Sequence, residues 1–358
     1  MLKIKSVTMR NFMSTGNVAQ AVNLEKQGLT LVLGENLDLG GNGSRNGVGK
    51  AQPLYSKIKI PGGWTTMGNI KPGDLVETPS GEISTVTGIF PQGELDVYEI
   101  EFVDGRKTHA CGDHLWNVKS HAFKHNNYVT LSTSALITHI EKYKNYKNKS
   151  TAYLYVPFVK SSIDDIELPL DPYFIGAMLG DGSFSYSNRG FSNADQFVID
   201  SVRNAMPQYL DMIQNHYHNS CDYAFKLKNR TKHSPFTNIL KDLELLGTLS
   251  DTKFIPEIYK HASLNQKLRL IQGLIDTDGY VANNGAINLT TVSSQLALDF
   301  QYIIRSIGGT ATIKEHSNRT YVYNEIKKPC KTSYTVSVTY HNPQDLASLP
   351  RKKERLPG

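Results

Sequence analysis

Two stretches of this chain are near-copies of each other, and they constrain its fold more than any other feature. Phe174-Ile175-Gly176-Ala177-Met178-Leu179-Gly180-Asp181-Gly182 and Ile271-Gln272-Gly273-Leu274-Ile275-Asp276-Thr277-Asp278-Gly279 share their glycine and acidic positions. Each reads as an apolar helix ending in Asp-Gly. Gly176 and Gly273 carry no side chain, so two such helices can approach closely, with apolar neighbours sealing the seam. Asp181 and Asp278 then lie side by side at the C-terminal ends, where the helix dipole opposes negative charge. A carboxylate pair in that place calls for a cation. A divalent metal would neutralise both and activate water for in-line attack on a phosphate.

The second copy is close to the consensus that names the LAGLIDADG (DOD-type) homing endonucleases. The first keeps the glycine and acidic positions, with Leu179 and Gly180 in place of the usual Asp and Ala. The resemblance implies a duplicated αββαββα domain over 166–345. It would act as a monomer with a pseudo-two-fold axis and cut both strands of double-stranded DNA. Two or more Mg²⁺ ions would be shared by Asp181 and Asp278. Lys253-Phe254-Ile255-Pro256 resembles the family's lysine-Ile-Pro motif, and by that resemblance Lys253 would stabilise charge near the scissile phosphate or tune the attacking water. Each helix should be followed by a curved sheet laid in the major groove. Candidate DNA-binding residues are Lys226, Lys228, Arg230 and Lys232 in 223–232, and Lys314 and Arg319 in 312–323, with Tyr321 beside them. Exposed strand faces are also often basic for solubility alone.

Ahead of this region, residues 51–118 are short strands split by turns such as Pro61-Gly62-Gly63, Pro72-Gly73-Asp74, Pro79-Ser80-Gly81 and Asp104-Gly105. That spacing predicts an all-β unit. Lys57-Ile58-Lys59-Ile60, Met67 to Val76, and Asp104 to Trp116 resemble the opening patterns of an intein splicing domain, the Hint fold. The resemblance makes 51–165 the N-terminal splicing half plus a linker. It makes His114 the histidine that hydrogen-bonds the scissile amide and helps its nitrogen leave. Family members usually have threonine three residues earlier, where this chain has Cys111. The splicing junction falls at Ala51, which has no nucleophile. Three explanations compete: a mutated site, an intein class lacking the first nucleophile, or a dead element. Trp116, two residues after the histidine, favours the second; a core aromatic is the plainer reading.

Residues 1–50 read as a β-rich start followed by a glycine-rich loop, which the resemblances make a host fragment. A strand at 28–34 precedes Asn46-Gly47-Val48-Gly49-Lys50, a loop resembling the phosphate loop of SbcC/SMC-type ATPases, in particular the ATPase subunits of T4-like phage recombination endonucleases. Gly47 and Gly49 would cradle phosphates and Lys50 reach them. ATP would be bound only by the reassembled host, because Ala51 stands where a magnesium-holding Ser or Thr belongs. The first glycine of the loop is replaced by Ser44.

The net charge of +6 permits a nucleic-acid partner without demanding one. Three dispersed cysteines predict neither a structural zinc nor a disulfide framework. With no membrane-spanning run and no signal peptide, the expectation is a cytoplasmic protein in a bacterial or phage-infected cell. His341-Asn342 is followed by Pro343 and reads as a decoy for the splicing end, so 346–358 is expected to be a tail leading to a missing C-terminal splicing half. A C-terminal intein fragment is therefore a possible partner. The whole is a multi-domain α+β chain. The alternatives are a catalytically inactive intein relic and an ATP-binding recombination or repair fragment.

Overall fold

Glycines in the left-handed region shape the hairpins of the N-terminal part. Gly62, at φ 74°, turns strand β3 (Lys57–Ile60) into β4 (Gly63–Thr66) in a computed structural model of the chain. A side chain there would be strained. The structure describes residues 6–9, 20–23, 52–78, 82–123, 127–145, 153–157, 164–186, 189–215, 221–229, 234–323 and 326–357. They fall in two units, Met1–Phe158 and Val159–Gly358. In the first, β1 (Ser6–Met9) pairs with β2 (Gln20–Asn23). Beyond β3 and β4 come three more antiparallel pairs: β5 (Leu75–Glu77) with β6 (Ile83–Thr85), β7 (Val97–Glu101) with β8 (Lys107–Cys111), and β9 (Leu115–Val118) with β10 (Val129–Ser132). Helix α1 (Thr133–Tyr143) follows directly, its N-cap Ser132 accepting from Ala135 N. One buried cluster of this unit is small: Ile70, Val76 and Val86, with Ile58 and Ile60 against it. Leu54, Phe90 and Val103 stay exposed.

The second unit repeats one pattern twice. Its first half runs α2 (Pro172–Asp181), β11 (Gly182–Phe184), β12 (Arg189–Ser192), α3 (Gln196–Ala205), β13 (Leu210–Gln214), β14 (Asp222–Leu227) and α4 (Pro235–Asp242). A short α5 (Glu257–Lys260) leads to the second half. That half runs α6 (Leu264–Thr277), β15 (Gly279–Val281), β16 (Ile287–Thr291), α7 (Ser294–Ser306) and β17 (Thr310–His316), then a hairpin of β18 (Thr320–Tyr323) and β19 (Ile326–Pro329), then β20 (Ser333–Thr339) and α8 (Pro350–Lys353). The sheets are ordered β11-β12-β14-β13 and β15-β16-β20-β17, the same arrangement in each half. Period-two patterning places Leu289, Val336, Val338 and Ala311 in the core and leaves Asn288, Thr290, Lys314 and Ser337 on the outer face.

The ends of α2 and α6 are built differently. Asp171 caps α2 through Tyr173 N and Phe174 N, with Pro172 at the first helical position. Ser263 and Gln266 form a reciprocal capping box on α6. Both helices bury most of their length in the unit's core, with Phe174, Ile175, Leu270, Ile271 and Leu274 fully enclosed.

Strand β14 stops at Leu227, so Lys228 lies beyond its end. The stretch 312–323 holds parts of β17 and β18, with Asn318, at φ 57°, in the turn between them. One sequence expectation changes. The segment from 346 onward does not run out as a tail. Leu346, Ala347, Leu349 and Leu356 join the core of the second unit, which moves the boundary drawn at 345. No helix of the described residues is long and apolar enough to cross a membrane.

Candidate active site

The seam between α2 and α6 is a contact of backbones. A Cβ on Gly176 would lie 2.1 Å from Leu270 O, and one on Gly273 would lie 2.3 Å from Tyr173 O. At the C-terminal end the approach is just as tight: a Cβ on Gly180 would lie 2.1 Å from Thr277 Oγ1 and 3.5 Å from Asp278 N. Asp181, the last residue of α2, and Asp278, the C-cap of α6, are thereby brought to one place.

Burial raises both carboxyls above the usual range. For Asp278 the nearby charge of Asp181 adds to burial and the group is pushed up to about 6. For Asp181 burial is partly offset by a hydrogen bond from Asn193, whose Nδ2 donates to Oδ2 at 2.6 Å. Asn193 is itself fixed, its Oδ1 accepting from Asp195 N at 2.7 Å.

Each helix end is closed by a buried lysine. Lys253 Nζ donates to the carbonyls of Met178, Leu179, Gly180 and Gly182 at 3.3, 2.9, 2.8 and 2.9 Å. Lys352 Nζ donates to Ile275, Asp276, Thr277 and Gly279 at 2.6, 2.9, 3.3 and 2.6 Å. These four carbonyls occupy matching places in the two copies. They include the C-terminal groups a helix leaves unpaired, and the ammonium also meets the negative end of the dipole. Three N–H bonds shared among four acceptors make each cage partly bifurcated. Burial is the main cause that pulls both lysines down to about 8; for Lys253 the charges of Asp278 and Asp181 pull the other way.

Lys253 is thus far from the plain surface lysine its motif alone would allow: it is 6% exposed. Lys352, Asn193 and the pair Tyr173–Asp276 were not singled out in the sequence. The signal for Lys352 was weak, because Pro350-Arg351-Lys352 reverses the order of lysine and proline found in Lys253-Phe254-Ile255-Pro256.

The donor set fits a divalent cation. Two buried carboxylates carry charge that raises Asp278, so a cation between them would relieve repulsion. Among the described residues no group of three or more His, Cys, Asp or Glu gathers to hold a metal. A cation here would complete its shell with backbone oxygens, water or substrate phosphate, as Mg²⁺ commonly does.

Lys226, the exposed residue of β14, is registered opposite Asp211, and Lys228 pairs with that carboxylate at 3.9 Å. Lys314 stands on β17 opposite Thr335. Arg319 Nη2 is 2.8 Å from His316 Nδ1. Arg230, Lys232, Gly47, Gly49, Lys50 and Ala51 lie outside the described residues.

In the first unit, His114 and Trp116 meet edge to face, with ring centroids 5.0 Å apart. Trp116 Nε1 donates to Thr133 Oγ1 at 2.9 Å, and Thr133 N donates to His114 O at 2.9 Å. Trp116 therefore ties β9 to the start of α1. Cys111 is buried at the end of β8.

Residues 265–340 match the LAGLIDADG-like domain family model. That span includes the second copy and all four strands of its sheet. Over 337 residues the chain is 26% identical to the replicative DNA helicase DnaB of Mycobacterium intracellulare, which covers 87% of this chain and 51% of that protein. It is 26% identical over 186 residues to the homothallic switching endonuclease of Saccharomyces cerevisiae, covering 46% of this chain and 32% of that one. The chain thus spans about half or less of these relatives. Among solved structures, the gp41-1 intein matches at 26% identity and a TM-score of 0.20, covering 24% of this chain and 60% of that chain. Residues 265–340 are thus similar to LAGLIDADG-like domains, and part of the chain is similar to a switching endonuclease.

Proposed function

We propose that the unit Val159–Gly358 is a site-specific homing endonuclease that hydrolyses both strands of double-stranded DNA, and that the chain is an intein precursor. The observation carrying this reading is the pair of buried carboxylates, Asp181 and Asp278, at the ends of two helices whose backbones touch. A divalent cation, taken here as Mg²⁺, would supply charge neutralisation at the phosphate and an acidified water. Asp181 and Asp278 would hold it. Asn193 fixes the direction of the Asp181 carboxylate. Lys253 and Lys352 occupy the helix-end carbonyls, so positive charge stands close to where phosphate charge develops. Each copy supplies one such lysine.

Lys226, Lys228, Lys314 and Arg319 would position phosphates. The outer face of the second sheet offers Asn288 with Ser337 and Thr290 with Thr335, hydrogen-bonded pairs suited to base edges. In the first unit, His114 would act as the general acid of splicing, with Trp116 beside it. The exposed Leu54, Phe90 and Val103 would suit a complementary C-terminal splicing half. The host would be the ATPase whose loop contains Gly47, Gly49 and Lys50, joined at Ala51. The DNA target would then be the uninterrupted host gene around the Lys50 codon.

The test is incubation with Mg²⁺ and a plasmid carrying that uninterrupted site, beside Asp181→Ala and Asp278→Ala. A double-strand cut made by the wild type and lost in both variants is expected. Binding without any cut by the wild type would overturn the endonuclease reading.

A further inference from the structure

The two lysine cages match, but the segments that deliver the lysines are anchored differently. Asp276, 1% exposed, lies inside α6 two residues before Asp278. Its Oδ1 accepts from Ser348 N at 3.0 Å and from Leu349 N at 2.9 Å. Leu349 O in turn accepts from Lys352 N at 2.9 Å and opens the turn that carries this lysine. The other carboxylate oxygen takes the hydroxyl of Tyr173, at 3.0 Å, from the opposite helix. Arg269 lies over the Tyr173 ring, 5.1 Å from its centroid.

Among the described residues the first copy has no counterpart of this pair. The positions matching Tyr173 and Asp276 are Leu270 and Leu179, both buried and apolar. The Lys253 segment is held by other groups instead, among them the buried Asp299 of α7, whose Oδ2 accepts from Ile255 N at 2.9 Å. Thr252 Oγ1 accepts from Leu249 N at 2.8 Å, Lys253 N donates to Leu249 O at 3.0 Å, and Ser293 Oγ donates to Lys253 O at 2.6 Å. A buried carboxylate spending both oxygens on backbone amides and a tyrosine is a positional device, because each bond fixes a direction in a low-dielectric interior.

We infer that Asp276, braced by Tyr173, is the positioning residue of one cleavage centre only: it seats the 348–349 backbone so that Lys352 reaches the end of α6, while the Lys253 centre is seated independently. The inference rests on the endonuclease reading, and it makes the duplicated site functionally unequal. Loss of Asp276 should weaken cutting of one particular strand and leave the other.

The experiment uses the full chain with Mg²⁺ and the uninterrupted-site plasmid, each strand labelled separately. Asp276→Leu, which installs the residue of the first copy, should shift the ratio of the two strand-cleavage rates by at least about tenfold and accumulate nicked circles. Lys352→Met should shift the ratio the same way, and Lys253→Met the opposite way. Asp276→Asn keeps an acceptor for both amides and should restore the ratio. Equal loss on both strands, or an unchanged ratio, would overturn the inference, since a merely structural residue does not choose a strand. Amide exchange at Ser348 and Leu349 is read on the same proteins. It should be at least about tenfold faster in Asp276→Leu than in the wild type, and equal exchange overturns the anchor. A wild type that makes no cut removes the endonuclease reading, while the exchange measurement still decides the anchor.

Discussion

Gly176 and Gly273 meet across the helix seam so closely that a Cβ on Gly176 would sit 3.1 Å from Gly273 Cα. Backbone cannot step aside there as a flexible side chain could. Either Gly176→Ala or Gly273→Ala should therefore push the helices apart and destabilise the unit by roughly 3 kcal/mol. Alanine favours helix intrinsically, so the sign of the effect separates seam from propensity. Urea denaturation decides: a midpoint that stays or rises contradicts the seam.

Asp278→Asn should lower DNA cleavage by roughly 10³-fold, because a cation would lose half of its protein carboxylates. In chelator, the same change should raise the thermal midpoint, since it removes a buried charge beside Asp181. A variant that loses activity and also melts earlier would mean the carboxylate is structural.

The pH dependence of the metal-free protein follows from the same group. Asp278 is pushed up to about 6 from an ordinary 3.8. Between those values the folded chain keeps a proton that the unfolded chain has released. Stability therefore falls as pH rises from about 4 to about 6, by on the order of 3 kcal/mol, and this contribution is flat above. The difference between wild type and Asp278→Asn isolates it. A difference independent of pH across that window would refute the shift.

Lys352→Met should strip the end of α6 of its cation and leave buried carbonyls unmatched, destabilising by roughly 3 kcal/mol. A chain ended after residue 345 loses this lysine together with the buried Leu346, Leu349 and Leu356. Three buried leucines contribute roughly 6 kcal/mol between them, so the shortened second unit should not fold. Circular dichroism of the shortened protein checks this; a cooperative melt at the wild-type temperature would contradict it.

The seam was legible in the sequence because glycine and aspartate at fixed places in two apolar runs admit few packings. Asp181, Asp278 and Lys253 came from those runs and one short motif. Lys352 and Asp276 were hidden for different reasons. Lys352 lies in a basic stretch that looks like a solvated tail, and only tertiary packing turns it inward. Asp276 looks like ordinary consensus, and its work depends on amides about seventy residues later. The turn at Asn318 is not marked in the sequence, because alternation continues on both sides of it, and alternation alone does not say where a strand leaves its sheet.

Neither lysine cage can form locally. Lys253 reaches back across 71 to 75 residues to α2, and Lys352 across 73 to 77 residues to α6. Each helix can coil early, within microseconds, yet its end stays open until a loop of that size has closed. The folding rate of this unit should therefore be governed by contact order rather than by helix formation, with the charged ends of the seam sealed last.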